Sequence, residues 1–315
     1  MHVYNGVKEL NSPLESSVLT IGNFDGVHLG HQQLVETVVR EAQHYGVPAV
    51  VYTFYPHPVK ILKPEKATQR LFDMKDQQQQ MEKRGIGAVI IEPFTKEFSK
   101  ISAEEFLENY VLKRLNPKTL VVGHDFSFGA GRSGNIPFLE QFCAKRGIRL
   151  IIIPPFQQEG EVVSSTKIRD YLKQGEIEKA QGLLGRPYYV RGHVEHGFKR
   201  GRTIGVPTAN IHPDVEFLPR QGVYCTWTVI NGKRHPSVTN IGVNPTFQSD
   251  GKGPVKIETH LLDFDETLYG IEVEVYLLHF IRDEMKFTGI DALKAQISLD
   301  IQEARRYFDE QAKNS

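Results

Sequence analysis

The sequence predicts an α/β unit built on a doubly wound parallel sheet, followed by an antiparallel β-barrel with a closing helix. Two patterns carry this expectation. Between Val18 and Ile153 short β-branched runs alternate with longer amphipathic stretches, whereas after Gly185 Gly and Pro punctuate runs in which apolar and polar residues alternate. The length agrees: 315 residues exceed one ordinary core and suit two domains at roughly 100–200 residues each. The boundary is expected at "GRP", giving domains 1–184 and 185–315.

In the first domain, 18–21 (VLTI), 49–54 (AVVYTF), 87–92 (GAVIIE), 119–123 (TLVVG) and 149–153 (RLIII) read as strands buried on both faces. Helical patterns lie between them at 32–45, 74–84, 103–115 and 136–146, so right-handed βαβ crossovers are expected. The run Gln77 to Gln80 reads as a solvated helix face. In the second domain, 188–197, 222–230, 256–262 and 271–281 read as strands of a barrel. Ile290, Leu293, Ile297, Ala304 and Phe308 then recur at near-helical spacing and predict the closing helix. Trp227 alternates with Val229 and is assigned to packing.

Composition narrows the function. Lys plus Arg equals Asp plus Glu at 38 each, so no overall field draws the chain to nucleic acid or an anionic membrane. Any phosphate binding must be local. Cys143 and Cys225 have no CxxC partner, which argues against a disulfide framework or a zinc site and fits a reducing cytoplasm. The N-terminal "MHVYNGVKELNSPLESS" lacks the layout of a signal peptide, and no apolar run approaches the roughly 18 residues of a membrane span. A soluble cytosolic chain without nucleic-acid or membrane partners is expected, and the sequence is compatible with a monomer.

The segment "TIGNFDGVHLGHQQL" (20–34) is the first candidate site. Gly22 and Gly26 permit a tight turn after the strand, and His31 is expected to begin a helix whose apolar positions include Leu34, Val35, Val38 and Ala42. In an open α/β sheet such a corner lies where ligands bind, and a helix N-terminus suits phosphate. His28 and His31, with Gly30 between them, add donors where a phosphoryl centre gains negative charge. Metal ligation is the rival reading of this His-x-x-His spacing, and two ordinary surface histidines a third. "TFYPHP" (53–58) stiffens the next corner around His57, and "VSSTKIRDYL" (163–172) sets Ser164, Ser165 and Thr166 ahead of Lys167 and Arg169 at a helix opening. Each also reads as ordinary turn or capping chemistry.

A second candidate lies in "GFKRGRTIGVPTANI" (197–211). Its Gly201 and the cations Lys199, Arg200 and Arg202 form either a solvated turn or a loop around a polyphosphate. Thr208 and Asn210 offer hard oxygen donors of the kind Mg2+ accepts. Glu258 falls on the face of Lys256 and His260, opposite Ile257 and Leu261, and is either a solvated carboxylate or a base for a hydroxyl. His193 and His196 point to opposite faces of a strand and make poor shared ligands, while His44, His212, His235 and His279 are assigned to turns, surface or packing.

These segments carry a family resemblance. "GNFDGVHLGH" resembles the HxGH signature of nucleotidyltransferases, and "SSTKIR" resembles their second ATP-binding motif. With "FYPHP" and "VGHDFSFGAGRSGN" they resemble the FAD synthetase module of bacterial bifunctional riboflavin kinase/FAD synthetases. "GRTIGVPTAN", "GVY", "NIGVNPTF", "ETHLLDFDETLYG" and "FIRDEMKF" are similar to riboflavin kinase segments in the same order. The resemblance implies a Rossmann-like nucleotidyltransferase domain and a kinase barrel that use ATP and Mg2+ on riboflavin and FMN, giving FAD. It implies that His28 and His31 stabilise the α-phosphate of ATP and that Gly22, Asn23, Phe24, Asp25, Gly26 and Gly30 shape the corner. Ser164, Ser165, Thr166 and Arg169 would clamp ATP phosphates, and His57 and Asp125 would line the site. In the barrel, Gly201, Arg202, Thr208 and Asn210 would hold Mg-ATP, Glu258 would be the base, and Arg282 to Phe287 would form a flavin-side flap. His124, Ser127 and Val206 depart from common family residues. An HxGH enzyme acting on another phosphorylated substrate, and a non-catalytic flavin-binding paralogue, are the alternative functions.

Overall fold

The computed structural model describes residues 1–195, 206–243, 255–266 and 268–313, and the chain divides into two compact units, Met1–Ser165 and Thr166–Ser315. In the first unit, β1 (His2–Tyr4), β2 (Ser17–Ile21), β3 (Ala49–Tyr55), β4 (Ala88–Pro93), β5 (Pro117–Gly123) and β6 (Arg149–Ile153) form a parallel sheet in the order β1-β4-β3-β2-β5-β6. Side chains alternate between its faces. Leu19, Ile21, Val50, Tyr52, Leu120 and Val122 enter one core, while Val18, Val51, Val89 and Val121 meet Val35, Val38 and Ala42 of α1 (Leu29–Tyr45) in the other. Because β3 and β4 continue on one side of β2 and β5 and β6 lie on the other, the switch point of the sheet falls between β2 and β5. Ligands bind at such crevices.

The structure corrects several expectations here. α1 begins at Leu29, two residues before His31, because His28 caps it. β6 is an edge strand and only partly buried, and the N-terminal residues add β1 on the opposite edge. After β6 the short strands β7 (Gln157–Gln158) and β8 (Glu161–Val162) pair antiparallel. Between Ala103 and Leu115 the helix widens to a π-helix over Phe106–Leu112, which keeps Phe106, Leu107 and Val111 buried together. In α3 (Met74–Lys83), Gln77 and Gln80 are 3% and 7% exposed, so the glutamine run is not a solvated face.

In the second unit the helices Ser165–Gln174 and Ile177–Leu184 precede a closed antiparallel barrel. Its strands are β9 (Tyr189–Glu195), β10 (Ala209–Pro213), β11 (Gly222–Ile230), β12 (Lys233–Val243), β13 (Val255–Leu261) and β14 (Glu272–Arg282), in the order β10-β13-β12-β11-β14-β9. Closure gives each described strand a neighbour on both sides. One side of β11 to β13 carries buried hydroxyls: Thr226 bonds Ser237 and Thr239 at 2.8 Å each, and Thr239 bonds Thr259 at 2.9 Å. The other side packs Val223, Cys225 and Val238 against Ala304 and Phe308 of the terminal helix Ile290–Lys313. Trp227 sits 4.7 Å from Phe308 between ring centroids, so it serves packing. Ile290 is exposed, since it opens the helix ahead of the packed face.

Candidate functional site

The first site grows from the end of β2. Gly22 donates its N–H to the carbonyl of Tyr52 in β3, and a Cβ at Gly22 would lie 3.1 Å from the Phe24 ring. The chain then turns sharply, with Phe24 at φ 52°, Gly26 at φ 82° and Val27 at φ 40°. For Phe24 and Val27 this left-handed backbone is costly, so the surroundings must hold it. The Asp25 carboxylate accepts the Leu71 N–H at 3.1 Å, and the Ser165 hydroxyl donates to the Asp25 carbonyl at 2.8 Å. The turn delivers His28 as the N-cap of α1.

His28 is 7% exposed, and its ring stacks on that of His31 with centroids 3.6 Å apart and planes 19° from parallel. Phe24 meets His31 edge-on at 5.4 Å. The His31 N–H approaches His28 Nδ1 at 3.4 Å, which makes Nδ1 the acceptor and assigns a proton of the neutral ring to Nε2. Gly30 lies under the His28 ring, where an added Cβ would stand 3.3 Å from Cε1. The first N–H groups of α1 have no intrahelical carbonyl to reach and carry the positive end of the helix dipole. Stacked rings run their in-plane lone pairs side by side rather than converging them on one ion. Among the described residues no group of three or more His, Cys, Asp or Glu side chains is placed to hold a metal. The geometry favours an anion over a shared metal.

Of the other residues expected here, Ser165 is brought to the corner through Asp25. Ser164 immediately precedes its helix, Thr166 is exposed, and Arg169 is 8% exposed within the second unit. His57 caps α2 (Pro58–Leu62), its Nδ1 accepting the Val59 N–H at 3.2 Å. Asp125 follows β5 at the switch point, with its side chain 84% exposed and 4.0 Å from His124.

The second site is a row across the barrel. Glu258 of β13 lies in register with Asn210 of β10 on one side and Asn240 of β12 on the other. Directly opposed residues of antiparallel strands share a face, so the three side chains project together, and Asn240 pairs in turn with Val223 on the side that faces the terminal helix. His260, two residues along β13, donates from Nδ1 to the Pro207 carbonyl at 2.8 Å and ties down the residue before Thr208. Thr208 is exposed, Asn210 and Glu258 half-buried. This is a set of oxygen donors beside a carboxylate.

Arg282, at the end of β14, is clamped by the terminal helix. Its Nε and Nη2 donate to the two Asp300 oxygens at 2.9 and 2.8 Å, its Nη1 donates to the Asp283 carbonyl, and Phe287 lies 5.9 Å from its guanidinium. Beside it, Glu284 lies so close over Gly242 of β12 that a Cβ there would overlap its carboxylate. Gly201 and Arg202 lie outside the described residues, as do Lys199, Arg200 and His196. Local reading of the sequence set His260 on the face of Glu258 without giving it a role, and it missed Asn240, which strand register brings opposite Glu258. Gln77 and Arg70 were missed because burial alone reveals them.

The comparisons with known proteins follow the same division. Residues 10–167 match the FAD synthetase family model and residues 184–308 the riboflavin kinase model. The chain is 37% identical over 295 residues to the bifunctional riboflavin kinase/FMN adenylyltransferase of Listeria monocytogenes, covering 93% of each chain. It is 36% identical over 310 residues to the protein of that name from Escherichia coli K12, covering 98% of each. A crystal structure of a protein described as a macrolide-efflux protein from Streptococcus pneumoniae superposes with a TM-score of 0.86 at 31% identity, covering 96% of this chain and 98% of that one. Among the described residues no helix is long and apolar enough to cross a membrane. With both family models matched in order and relatives alike over nearly the full length, the chain belongs to the bifunctional riboflavin kinase/FMN adenylyltransferase family.

Proposed function

We propose that this enzyme makes FAD in two steps, phosphorylating riboflavin with ATP to FMN in the barrel and adenylating FMN with a second ATP at the α1 corner. The family membership supplies the reactions and the ATP co-substrate. The stacked His28 and His31 over a helix N-terminus support the residue assignment most directly. An FMN phosphate oxygen attacks the α-phosphorus of ATP, the bond to the bridging oxygen breaks, and pyrophosphate leaves. The imidazoles and the first N–H groups of α1 stabilise the negative charge that gathers there. Asn23, Asp25, Gly26 and Gly30 let the ligand approach the backbone, Ser164 to Arg169 bind ATP phosphates, and His57 and Asp125 line the crevice.

In the barrel, Glu258 accepts the proton of the ribityl 5′-hydroxyl as that oxygen attacks the γ-phosphorus and ADP leaves. The oxygens of Thr208 and Asn210 fit Mg2+, which takes few protein ligands and fills its shell with phosphates and water, and the ion would neutralise phosphate charge. The Asn210–Glu258 register supports placing base and nucleotide side by side. We place the functional boundary at residues 184 and 185, where the kinase match begins. A reducing cytoplasm suits the two free cysteines.

A chromatographic time course with riboflavin, ATP and Mg2+ tests the assignment. FMN should appear and then FAD, and His28→Ala should stop the sequence at FMN. FAD formation at the parent rate by His28→Ala would refute the role of the stacked pair.

A further inference from the structure

We propose that Gln77 is a positioning residue for adenylyl transfer, acting through the strained turn that delivers His28. The inference rests on the role assigned above to the stacked histidines. Gln77 is 3% exposed on α3, far from the corner in sequence. Its Oε1 accepts from Nη2 of Arg70 at 2.6 Å, and Arg70, itself 4% exposed, is fixed by a bond from Nε to the Phe72 carbonyl at 3.2 Å. With Oε1 held, the amide must present Nε2 the other way. Nε2 donates to the Asn23 carbonyl at 3.3 Å and to the Thr53 hydroxyl at 3.4 Å, and that hydroxyl donates in turn to the same Asn23 carbonyl at 3.4 Å.

Asn23 immediately precedes the turn in which Phe24, Gly26 and Val27 all take positive φ. A backbone in sparsely populated conformations persists only where its neighbours over-determine it. Two donors on one carbonyl at the entry, with Leu71 N–H and the Ser165 hydroxyl on Asp25, are among those neighbours. If the entry relaxes, the cap residue shifts and with it the ring stacked on His31. Small misplacements of groups that act in a transition state cost rate rather than binding.

Gln77→Glu is the informative change. It keeps the size and the acceptor facing Arg70 but replaces the donor to Asn23 with an oxygen. The adenylyl-transfer kcat should fall on the order of tenfold, the worth of one buried hydrogen bond, with the KM for ATP held. The kinase step of the same chain should stay at the parent rate and the chain should remain fully folded at the assay temperature, although the thermal midpoint falls with the lost buried hydrogen bond. Thr53→Val removes the second donor and should act in the same direction, and the double variant should lose less than the product of the two effects. Adenylyl transfer at the parent rate in Gln77→Glu would overturn the proposal, as would parallel losses of both steps with the folded fraction. Should Gln77→Glu not fold, a parent kcat in Thr53→Val overturns it instead. His28→Ala, assayed alongside, separates this failure from failure of the underlying assignment: only if that variant loses adenylyl transfer is the corner the site.

Discussion

Gly30→Ala should lower adenylyl transfer while the gain in helix propensity is offset by the strain of the new contact, leaving the melting temperature near the parent value. Gly30 lies in the first turn of α1 with ordinary helical backbone, so alanine removes conformational freedom from the unfolded chain at no backbone cost. Helix propensity alone predicts a gain of up to about 1 kcal/mol, or about 2–4 °C in the melting of a unit this size. The new methyl would lie 3.3 Å from Cε1 and 3.4 Å from Nδ1 of His28, and 3.5 Å from Cβ of Phe156. Comfortable carbon contacts begin near about 3.5 Å, so the ring must yield by a few tenths of an ångström. It cannot move freely, because His31 is stacked on it at 3.6 Å. A displacement of about 1 Å can cost on the order of a hundredfold in rate, so a smaller one predicts a fall of roughly three- to thirtyfold in adenylyl-transfer kcat. FAD formation from supplied FMN measures this step, and FMN formation from riboflavin serves as the internal control. A variant that adenylates at the parent rate with the kinase step intact would show that His28's position over Gly30 is not what the reaction uses.

Three further expectations follow from Glu258 and the two buried thiols. Glu258→Gln should lower riboflavin phosphorylation by about 10²–10⁴, the usual worth of a positioned base, while FMN supplied directly is still converted to FAD; phosphorylation at the parent rate would move the base elsewhere. Burial pushes the Cys143 thiol up to about 11 and that of Cys225 up to about 12, so at about pH 8 neither should be alkylated by iodoacetamide until the chain unfolds. Unfolded thiols ionise nearer 9.0, so the unfolded state releases these protons first and the melting temperature should fall as pH rises from about 9 to about 12. Alkylation of either residue in the folded protein would contradict the burial.

The parts of the molecule that a linear reading reveals are those made by neighbours in sequence. The runs around Leu19, Val50, Val89 and Val121 are apolar because both faces of their sheet are covered, and no distant partner is needed to see that. The glycines, histidines and helix start of the first corner lie within a dozen residues, so spacing alone outlines it. Spacing misplaced the beginning of α1, because a capping histidine looks like any polar residue until Nδ1 is found facing the His31 N–H. It misread Gln77 for a deeper reason. Composition treats a glutamine as solvated, and only the arrival of Arg70 and Asn23 from other elements makes its burial affordable in hydrogen bonds.

The barrel site is harder to read for the same reason. Thr208, Asn210 and Glu258 are separate letters in the sequence, and the strand pattern assigns Glu258 the company of Lys256 and His260 along its own strand. The pairing that matters runs across strands, from Asn210 through Glu258 to Asn240. Register carries that information. A slip of one residue between β10 and β13 would send Asn210 to the opposite face and bring Ala209 or Ile211 opposite the carboxylate. The buried hydroxyl ladder fixes the other half of the row, because Thr239 of β12 must remain opposite Thr259 of β13 for their hydroxyls to bond, and that register holds Asn240 opposite Glu258. Apolar residues alone would tolerate neighbouring registers more readily. The polar interior of this barrel thus does for the proposed Glu258 site what the held turn does for the first corner: it uses hydrogen bonds made away from the row to fix where Glu258 and Asn240 stand.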